Sequence, residues 1–286
     1  MSLPSIGFGT SPYRPNGDLL DVEQSIRAAL AAGFRLFDTA EAYGNELAVG
    51  RALRSADAPP RQELSLIGKV WRTNFRPEHL RRACEDSLHR LGIETFDLYL
   101  LHAPDAWRHV APLEDAEVIG WEELTRRGMP REENGEPALD SVPLDETWEA
   151  MLQLVSAGLA TTVGVSNFTS AQIASLGSAD PAANEIACWP LDEGALEWQA
   201  RHGVALLGYS PLQRTLLDAP RIRDVASSRG CSPAQVILRW LMQRGIRPLT
   251  SSTDPEHIRE SIAAVGLELD PEEMTAVASA VSAAAA

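Results

Sequence analysis

The strongest constraint on this chain is a repeated punctuation of helix, glycine and strand. "SIRAALAAG" carries apolar residues at Ile26, Ala29 and Leu30, stops at Gly33 and runs into "FRLFD". "LRRACEDSLHRLG" stops at Gly92 before "FDLYLLH", and "TWEAMLQLVSAG" at Gly158 before "TTVGVSN". "ALEWQARHG" stops at Gly203 before "VALLGYS", and "AQVILRWLMQRG" at Gly245 before "IRPLT". A glycine just past a helix takes the left-handed C-terminal conformation without a Cβ clash. The helix starts are marked as well. Ser232-Pro233 with Gln235, and Asp270-Pro271 with Glu273, each supply a cap, a first-turn proline and a reciprocal partner. Thr169 with Gln172 fits the same box, and Asp254-Pro255 keeps the cap and the proline.

"LSLIGKV" and "AANEIAC" add two strand candidates, and "SIAAVGLEL" brings the expected number to eight. These runs are short and apolar rather than strictly alternating, so both faces are expected to be buried, as in a parallel sheet between helices. Eight strands alternating with helices over 286 residues predict an α/β fold, a closed (β/α)8 TIM barrel forming a single domain over residues 1–286. An open doubly wound sheet is the alternative. It usually carries G-x-G-x-x-G after its first strand, and neither that nor a G-x-x-x-x-G-K-[ST] loop occurs. Residues 104–144 break the rhythm: the segment is long, mixed in charge, and rich in proline and glycine towards its end. It follows the third strand in this count ("FDLYLLH"), so it is expected to hang over the C-terminal face as a long loop, with a short helix over residues 117–127.

A net charge of −15 argues against nucleic acid or an anionic membrane as the partner. It leaves room for a small anionic cofactor held by local groups. No run approaches the roughly 18 apolar residues that span a bilayer. The start "MSLPSIGFGT" lacks the basic and apolar regions of a secretory signal. Cys84, Cys188 and Cys231 are scattered and point to reduced thiols and a cytoplasmic location. Six histidines and three cysteines show no ligand spacing, so no metal is expected.

Chemistry in such a barrel gathers where strands end and loops begin. Counting "FRLFD" as the first strand, these ends deliver Asp38, with Tyr43 on the following loop, then Lys69, His102, Ser166 and Asn167, Glu185, and Tyr209 with Ser210. Taken singly, Asp38 reads equally as a helix cap, Tyr43 as a packing residue and His102 as a core histidine. Lys69 is the most telling, because an apolar strand has no use for an ammonium unless a carboxylate pairs with it. Taken together they make a proton donor. The ammonium is expected to lower the phenol pKa, the carboxylate to hold the lysine, and His102 to orient a substrate oxygen. A tyrosine that protonates an alkoxide suits carbonyl reduction when a cofactor supplies hydride.

At these residues the chain resembles the aldo-keto reductases. "FRLFDTAEAYGNE", "LIGKVW", "FDLYLLHAP", "GLATTVGVSNF" and "LGYSPL" follow that family's segments in order and spacing over nearly the whole chain. The resemblance implies a (β/α)8 barrel that binds an extended nicotinamide cofactor without a Rossmann domain. It implies Tyr43 as general acid, assisted by Lys69 and Asp38, with His102 orienting the carbonyl. It also implies that Ser166 and Asn167 hold the carboxamide, that Tyr209 stacks on the nicotinamide, and that Ser210 and Leu212 lie along the pyrophosphate.

The pattern departs from the family in three places. Glu185, in "NEIACWP", stands where the family usually has a glutamine beside the carboxamide; a carboxylate accepts from an amide but donates only when protonated. In "RPLTSSTDPEHIRES", Ser251 and His257 stand where a lysine and an arginine usually clamp the 2′-phosphate of NADP, Ser252 keeps its place, Arg259 lies nearby, and Ser261 replaces an adenine-contacting asparagine. Fewer permanent cations weaken phosphate selectivity, so NADP(H) is expected only slightly ahead of NAD(H). Around the substrate, Ser11 and Ala103 replace aromatic residues while Trp71 remains, and the tail ends in alanines. A wider pocket under residues 104–144 is expected to suit a bulkier or more polar substrate.

The expected function is therefore NAD(P)H-dependent reduction of an aldehyde or ketone, or the reverse, by a cytoplasmic monomer or weak oligomer acting on a small molecule. Two other readings of the barrel are a nucleotide-binding sensor or regulatory subunit with little turnover, and a lyase or isomerase without redox chemistry.

Overall fold

Eight parallel strands pair in chain order and close on themselves in the computed structural model, which describes residues 3–11, 21–110, 128–177 and 179–284. They are β1 (Gly7–Gly9), β2 (Leu36–Asp38), β3 (Ser65–Val70), β4 (Phe96–Leu101), β5 (Ala160–Ser166), β6 (Ala183–Ala187), β7 (Ala205–Tyr209) and β8 (Ile246–Thr250). Closure is made by β1, which pairs with β2 on one side and β8 on the other. Helices follow the strands, including α1 (Val22–Ala32), α2 (Glu46–Leu53) and α3 (Pro77–Leu91).

The expected stops are in place: Gly33, Gly92, Gly158, Gly203 and Gly245 all have positive φ. So are the starts. Thr169 and Ser232 form complete capping boxes, and Asp254 accepts from the Glu256 amide. Asp270 accepts from the Glu273 amide while the Glu273 carboxylate takes the Asp270 N–H.

One strand expectation is corrected. "SIAAVGLEL" is not a strand; it spans the end of the helix Pro255–Ala263 and the 3₁₀ turn Ala264–Gly266. Ile258 and Ile262 pack on the core at i, i+4 behind the Asp254 cap, which is helical spacing. The missing strand is β1, whose three residues are too few to display a period. Every ordinal therefore moves up by one, and residues 104–144 follow β4 rather than the third strand. The helix expected over 117–127 lies outside the described residues.

The strand pleat sorts side chains into two sets. Outward residues such as Phe37, Leu66, Tyr99, Leu101, Val163 and Val165 join the layer beneath the helices. Inward residues Leu36, Ile67, Leu98, Leu100, Ala183, Leu207 and Leu249 make a separate cluster that plugs the barrel. Each fully buried leucine or isoleucine in that plug stabilises the fold by roughly 1.5–3 kcal/mol. The plug also gives the site its floor.

Candidate active site

The alternation that fills the barrel also sets out the polar residues above it. Two positions beyond an inward apolar residue, the side chain again points inward, one layer nearer the C-terminal mouth. Thus Leu36 is followed by Asp38, Ile67 by Lys69, Leu100 by His102, Ala183 by Glu185, Leu207 by Tyr209 and Leu249 by Ser251. With Tyr43 from the 3₁₀ turn Glu41–Tyr43, these side chains converge from six strands and one turn.

Lys69 is the centre. Its side chain is fully buried, and its ammonium donates to Asp38 Oδ1, to the Tyr43 hydroxyl at 3.3 Å and to the Thr39 carbonyl at 3.4 Å. Glu185 Oε1 lies 3.2 Å from the same nitrogen. The two carboxylates hold Lys69 charged, above its ordinary pKa, against the desolvation that opposes its charge. Burial pushes Asp38 above the usual carboxylate value even though Lys69 draws it down. Glu185 rises to about 8, first through burial and then through the neighbouring Asp38 charge.

Lys69 acts on Tyr43 in the expected direction, yet the net shift of the phenol is upward. Burial pushes the phenol above its ordinary value, and the Lys69 ammonium opposes that shift without overcoming it, while Asp38 and Glu185 add to it. In the free protein Tyr43 is therefore a protonated phenol. Lys69 favours the phenolate only as negative charge develops there.

His102 faces Tyr43 edge-on, with ring centroids 5.9 Å apart, and Trp71 at 5.0 Å. Burial and the Lys69 charge hold its pKa well below the ordinary value, so the imidazole is neutral. Its Nδ1 is buried without a hydrogen-bond partner among the described residues.

Beside this cluster, Ser166 Oγ and the Asn167 N–H both donate to the Glu185 main-chain carbonyl, at 3.0 and 2.8 Å. Asn167 Nδ2 reaches the His102 carbonyl at 3.1 Å, and Tyr209 donates to Asn167 Oδ1 at 2.9 Å. Asn167 (φ 64°) and Ser210 (φ 52°) are the described non-glycine residues in the left-handed region, a conformation that costs about 1–2 kcal/mol for most side chains. Both sit just past strand ends, after β5 and β7.

A cavity of about 280 Å³ opens here. Asp38, Tyr43, His102 and Glu185 line one part of it, and Ser166, Asn167, Tyr209 and Ser210 another. Ser11 and Ser251 complete its polar rim, with Gly9 and Leu249. The cavity does not take in Trp71, Ala103, Leu212, Ser252 or His257. Ala103 is fully buried, and Leu212 packs between the two outer apolar clusters. Ser252 accepts from the Asp254 amide at 3.0 Å, and His257 lies 3.9 Å from the Asp254 carboxylate. Ser261 is buried, its hydroxyl donating to the His257 carbonyl at 2.8 Å.

Trp71 ties neighbouring segments together. Its indole N–H donates to the Gly128 carbonyl, its amide donates to Glu41 at 2.9 Å, and its ring packs at 5.8 Å on Trp107. Arg72 pairs with Asp105 at 2.8 Å, and Arg76 Nε reaches Asp140 at 2.7 Å. The described parts of segment 104–144 are thereby fastened beside the C-terminal end of β3. Sequence reasoning missed Glu41, Trp107 and the contact of Glu185 with Lys69. Glu41 alone left a trace, as a carboxylate in the stretch "DTAEAYGNE".

Fold and site together define a (β/α)8 barrel with a buried acid–base cluster under a polar cavity at its C-terminal mouth. The chain matches the family described as the aldo/keto reductase family over residues 5–282, and it belongs to that family. It is thus an NAD(P)-dependent oxidoreductase of a family that acts on small-molecule carbonyl compounds. It is 34% identical to dihydrodiol dehydrogenase 3 of Bos taurus, covering 96% of this chain and 87% of that one. It is also 34% identical to aldo-keto reductase family 1 member A1 of Cricetulus griseus, covering 95% and 84%. Among solved structures, the aldose reductase of Schistosoma japonicum superposes with a TM-score of 0.84 at 32% identity, covering 98% of this chain and 89% of that chain. The aldose reductase of Giardia lamblia gives 0.81 at 28%, covering 96% and 91%.

Proposed function

We propose that the protein reduces an aldehyde or ketone to an alcohol, with Tyr43 as the proton donor, and that it acts as a single barrel domain in the cytoplasm. The observation that carries this reading is the Lys69 ammonium held between Asp38 and the Tyr43 hydroxyl, behind the cavity that those two residues line. A phenol that stays protonated in the free protein is available to donate. The adjacent ammonium lowers the cost of the phenolate left behind. Neutral His102, beside Tyr43, is placed to donate a hydrogen bond to the carbonyl oxygen and so fix its position. As the carbonyl carbon gains hydride, its oxygen takes the Tyr43 proton; alcohol oxidation runs the same transfers backwards.

The residues present fit a nicotinamide. Glu185 Oε2 is a buried oxygen without a partner among the described residues, at a cavity that also presents the Asn167 amide and the Tyr209 ring. Ser166, Asn167 and Glu185 would hold the carboxamide, and Tyr209 would lie against the ring. Ser210 and Leu212 would follow the pyrophosphate, and Ser251, Ser252, His257 and Arg259 would meet the adenosine end. A nicotinamide bound there supplies the hydride. With Asp254 beside His257, the adenosine end offers little fixed positive charge, and NADP(H) is placed only slightly ahead of NAD(H). The fastening of the described parts of segment 104–144 and the small side chain of Ser11 at the rim favour a bulkier or more polar carbonyl compound.

Titration of the purified protein with NADPH and NADH, followed by cofactor oxidation against a panel of aldehydes and ketones, tests this reading. Binding with carbonyl-dependent oxidation is expected. Nucleotide binding without turnover would point to a sensor, and no binding of either nucleotide would overturn the proposal.

A further inference from the structure

Lys69 faces two buried carboxylates with one positive charge. Asp38 reaches it from β2 and Glu185 from β6, and their side chains are only 5% and 3% exposed. Two ionised carboxylates on one ammonium leave a net negative charge in a desolvated pocket, which is strongly disfavoured. One of the two therefore carries a proton over part of the working pH range. Geometry selects Glu185. Asp38 makes the closer contact with the ammonium, whereas Glu185 sits at 3.2 Å and has a second oxygen that no donor among the described residues reaches.

Among the described residues, few groups face the Glu185 carboxylate. Asp38 and Tyr43 approach from β2 and the turn after it, Lys69 from β3 and Tyr209 from β7. From β4 comes His102, which is neutral, and β5 presents uncharged Ser166 and Asn167. Those last two bond the Glu185 main-chain carbonyl and so fix where its side chain starts, leaving the carboxyl proton to decide its charge.

We propose that Glu185 is a proton-bearing positioning residue whose carboxyl, when neutral, leaves the Lys69 ammonium to Asp38 and Tyr43 and, when ionised, competes for it. This rests on the reading of Tyr43 as proton donor. With Glu185 neutral, Lys69 stabilises the phenolate that forms as Tyr43 gives up its proton. With Glu185 ionised, a second negative charge shares Lys69 and lies near the phenol, making Tyr43 a poorer acid. Carbonyl reduction then declines as pH rises through the Glu185 ionisation, well before the phenol itself ionises.

The test compares native protein with Glu185→Gln and Glu185→Asp. In the ligand-free native protein, infrared difference spectroscopy is expected to show a carboxylic-acid C=O stretch that persists through neutral pH and disappears as the pH is raised. The part of that absorption that vanishes near pH 8 is expected to be missing from Glu185→Gln, whereas the part from Glu41, which vanishes near pH 7, remains. In kcat/KM for reduction of a carbonyl substrate, whatever the absolute rates, the descending limb near about pH 8 in the native protein is expected to move up by at least about one pH unit in Glu185→Gln. Glu185→Asp is expected to keep a limb. A native protein without that acid band, or a limb indifferent to Glu185→Gln, would overturn the inference. Failure of the underlying functional reading looks different: the native protein would not oxidise NADPH or NADH with any carbonyl at any pH.

Discussion

Tyr43 gains nothing in acidity from its surroundings before a substrate arrives; burial outweighs the ammonium beside it. Its value as an acid lies in what happens to the charge afterwards, when Lys69 stands 3.3 Å from the oxygen that becomes negative. Tyr43→Phe is therefore expected to lower carbonyl turnover by roughly 10²–10⁴-fold. The hydroxyl's bonding partner is Lys69, so NADPH affinity, read by tryptophan fluorescence, should stay near native. Lys69→Met removes the cation that Asp38 and Glu185 share. It is expected to abolish turnover and to destabilise the fold by about 3 kcal/mol at pH 8. The loss should be smaller at pH 5, where both carboxyls take up protons, and chemical denaturation at the two pH values checks that difference.

Element geometry explains why a helix former is absent from one helix interior. Gly50, in α2, lies so near the end of α3 that an added Cβ would sit 2.5 Å from the Leu91 carbonyl oxygen. Alanine would gain about 1 kcal/mol of helix propensity at that position. The obstacle is backbone, which yields less readily than a side chain, and overpacking of this kind costs roughly 1–3 kcal/mol. Gly50→Ala is thus expected to lower Tm, where propensity alone would raise it. Calorimetry decides the sign. The consequence reaches the site, because α2 begins three residues after Tyr43 and α3 follows the turn after Trp71.

Across the whole molecule, buried carboxyls should tilt stability towards mild acid. Glu41 accepts from the Trp71 amide and from Asn74 Nδ2 at 2.6 Å, yet burial raises it from 4.5 to about 7. Glu185 is raised to about 8. Each is neutral in the fold over a range where the unfolded chain is ionised. Its contribution is full below the unfolded value and is lost as pH climbs through the folded one. Asp140 and Glu273, lowered by Arg76 and Arg229, act oppositely: their contributions are lost as pH falls through their folded values. Tm is expected to peak near about pH 5 and to fall by roughly 5 °C towards pH 8.5, with a shallower fall in Glu41→Gln. A flat profile over that interval would contradict the assignment.

The sequence by itself determined the alternating architecture, because caps and helix-ending glycines act within a few residues, and Ser232 with Gln235 or Gly92 past "LHRL" state their conformations locally. It also determined which polar residues stand at strand ends, since a period of two carries Leu36 to Asp38 and Ile67 to Lys69 without reference to other strands. A three-residue strand displays no period, so β1 leaves no signal, while the apolar run "SIAAVGLEL", which the Asp254-capped helix only enters, imitates a strand. Only the tertiary structure decided how the gathered charges share one another. Asp38, Lys69 and Glu185 lie far apart along the chain, and their distances and desolvation arise when the barrel closes. That closure turned the expected shift of Tyr43 around and set Glu185 against the ammonium, because burial is a property of the closed fold and of no single segment.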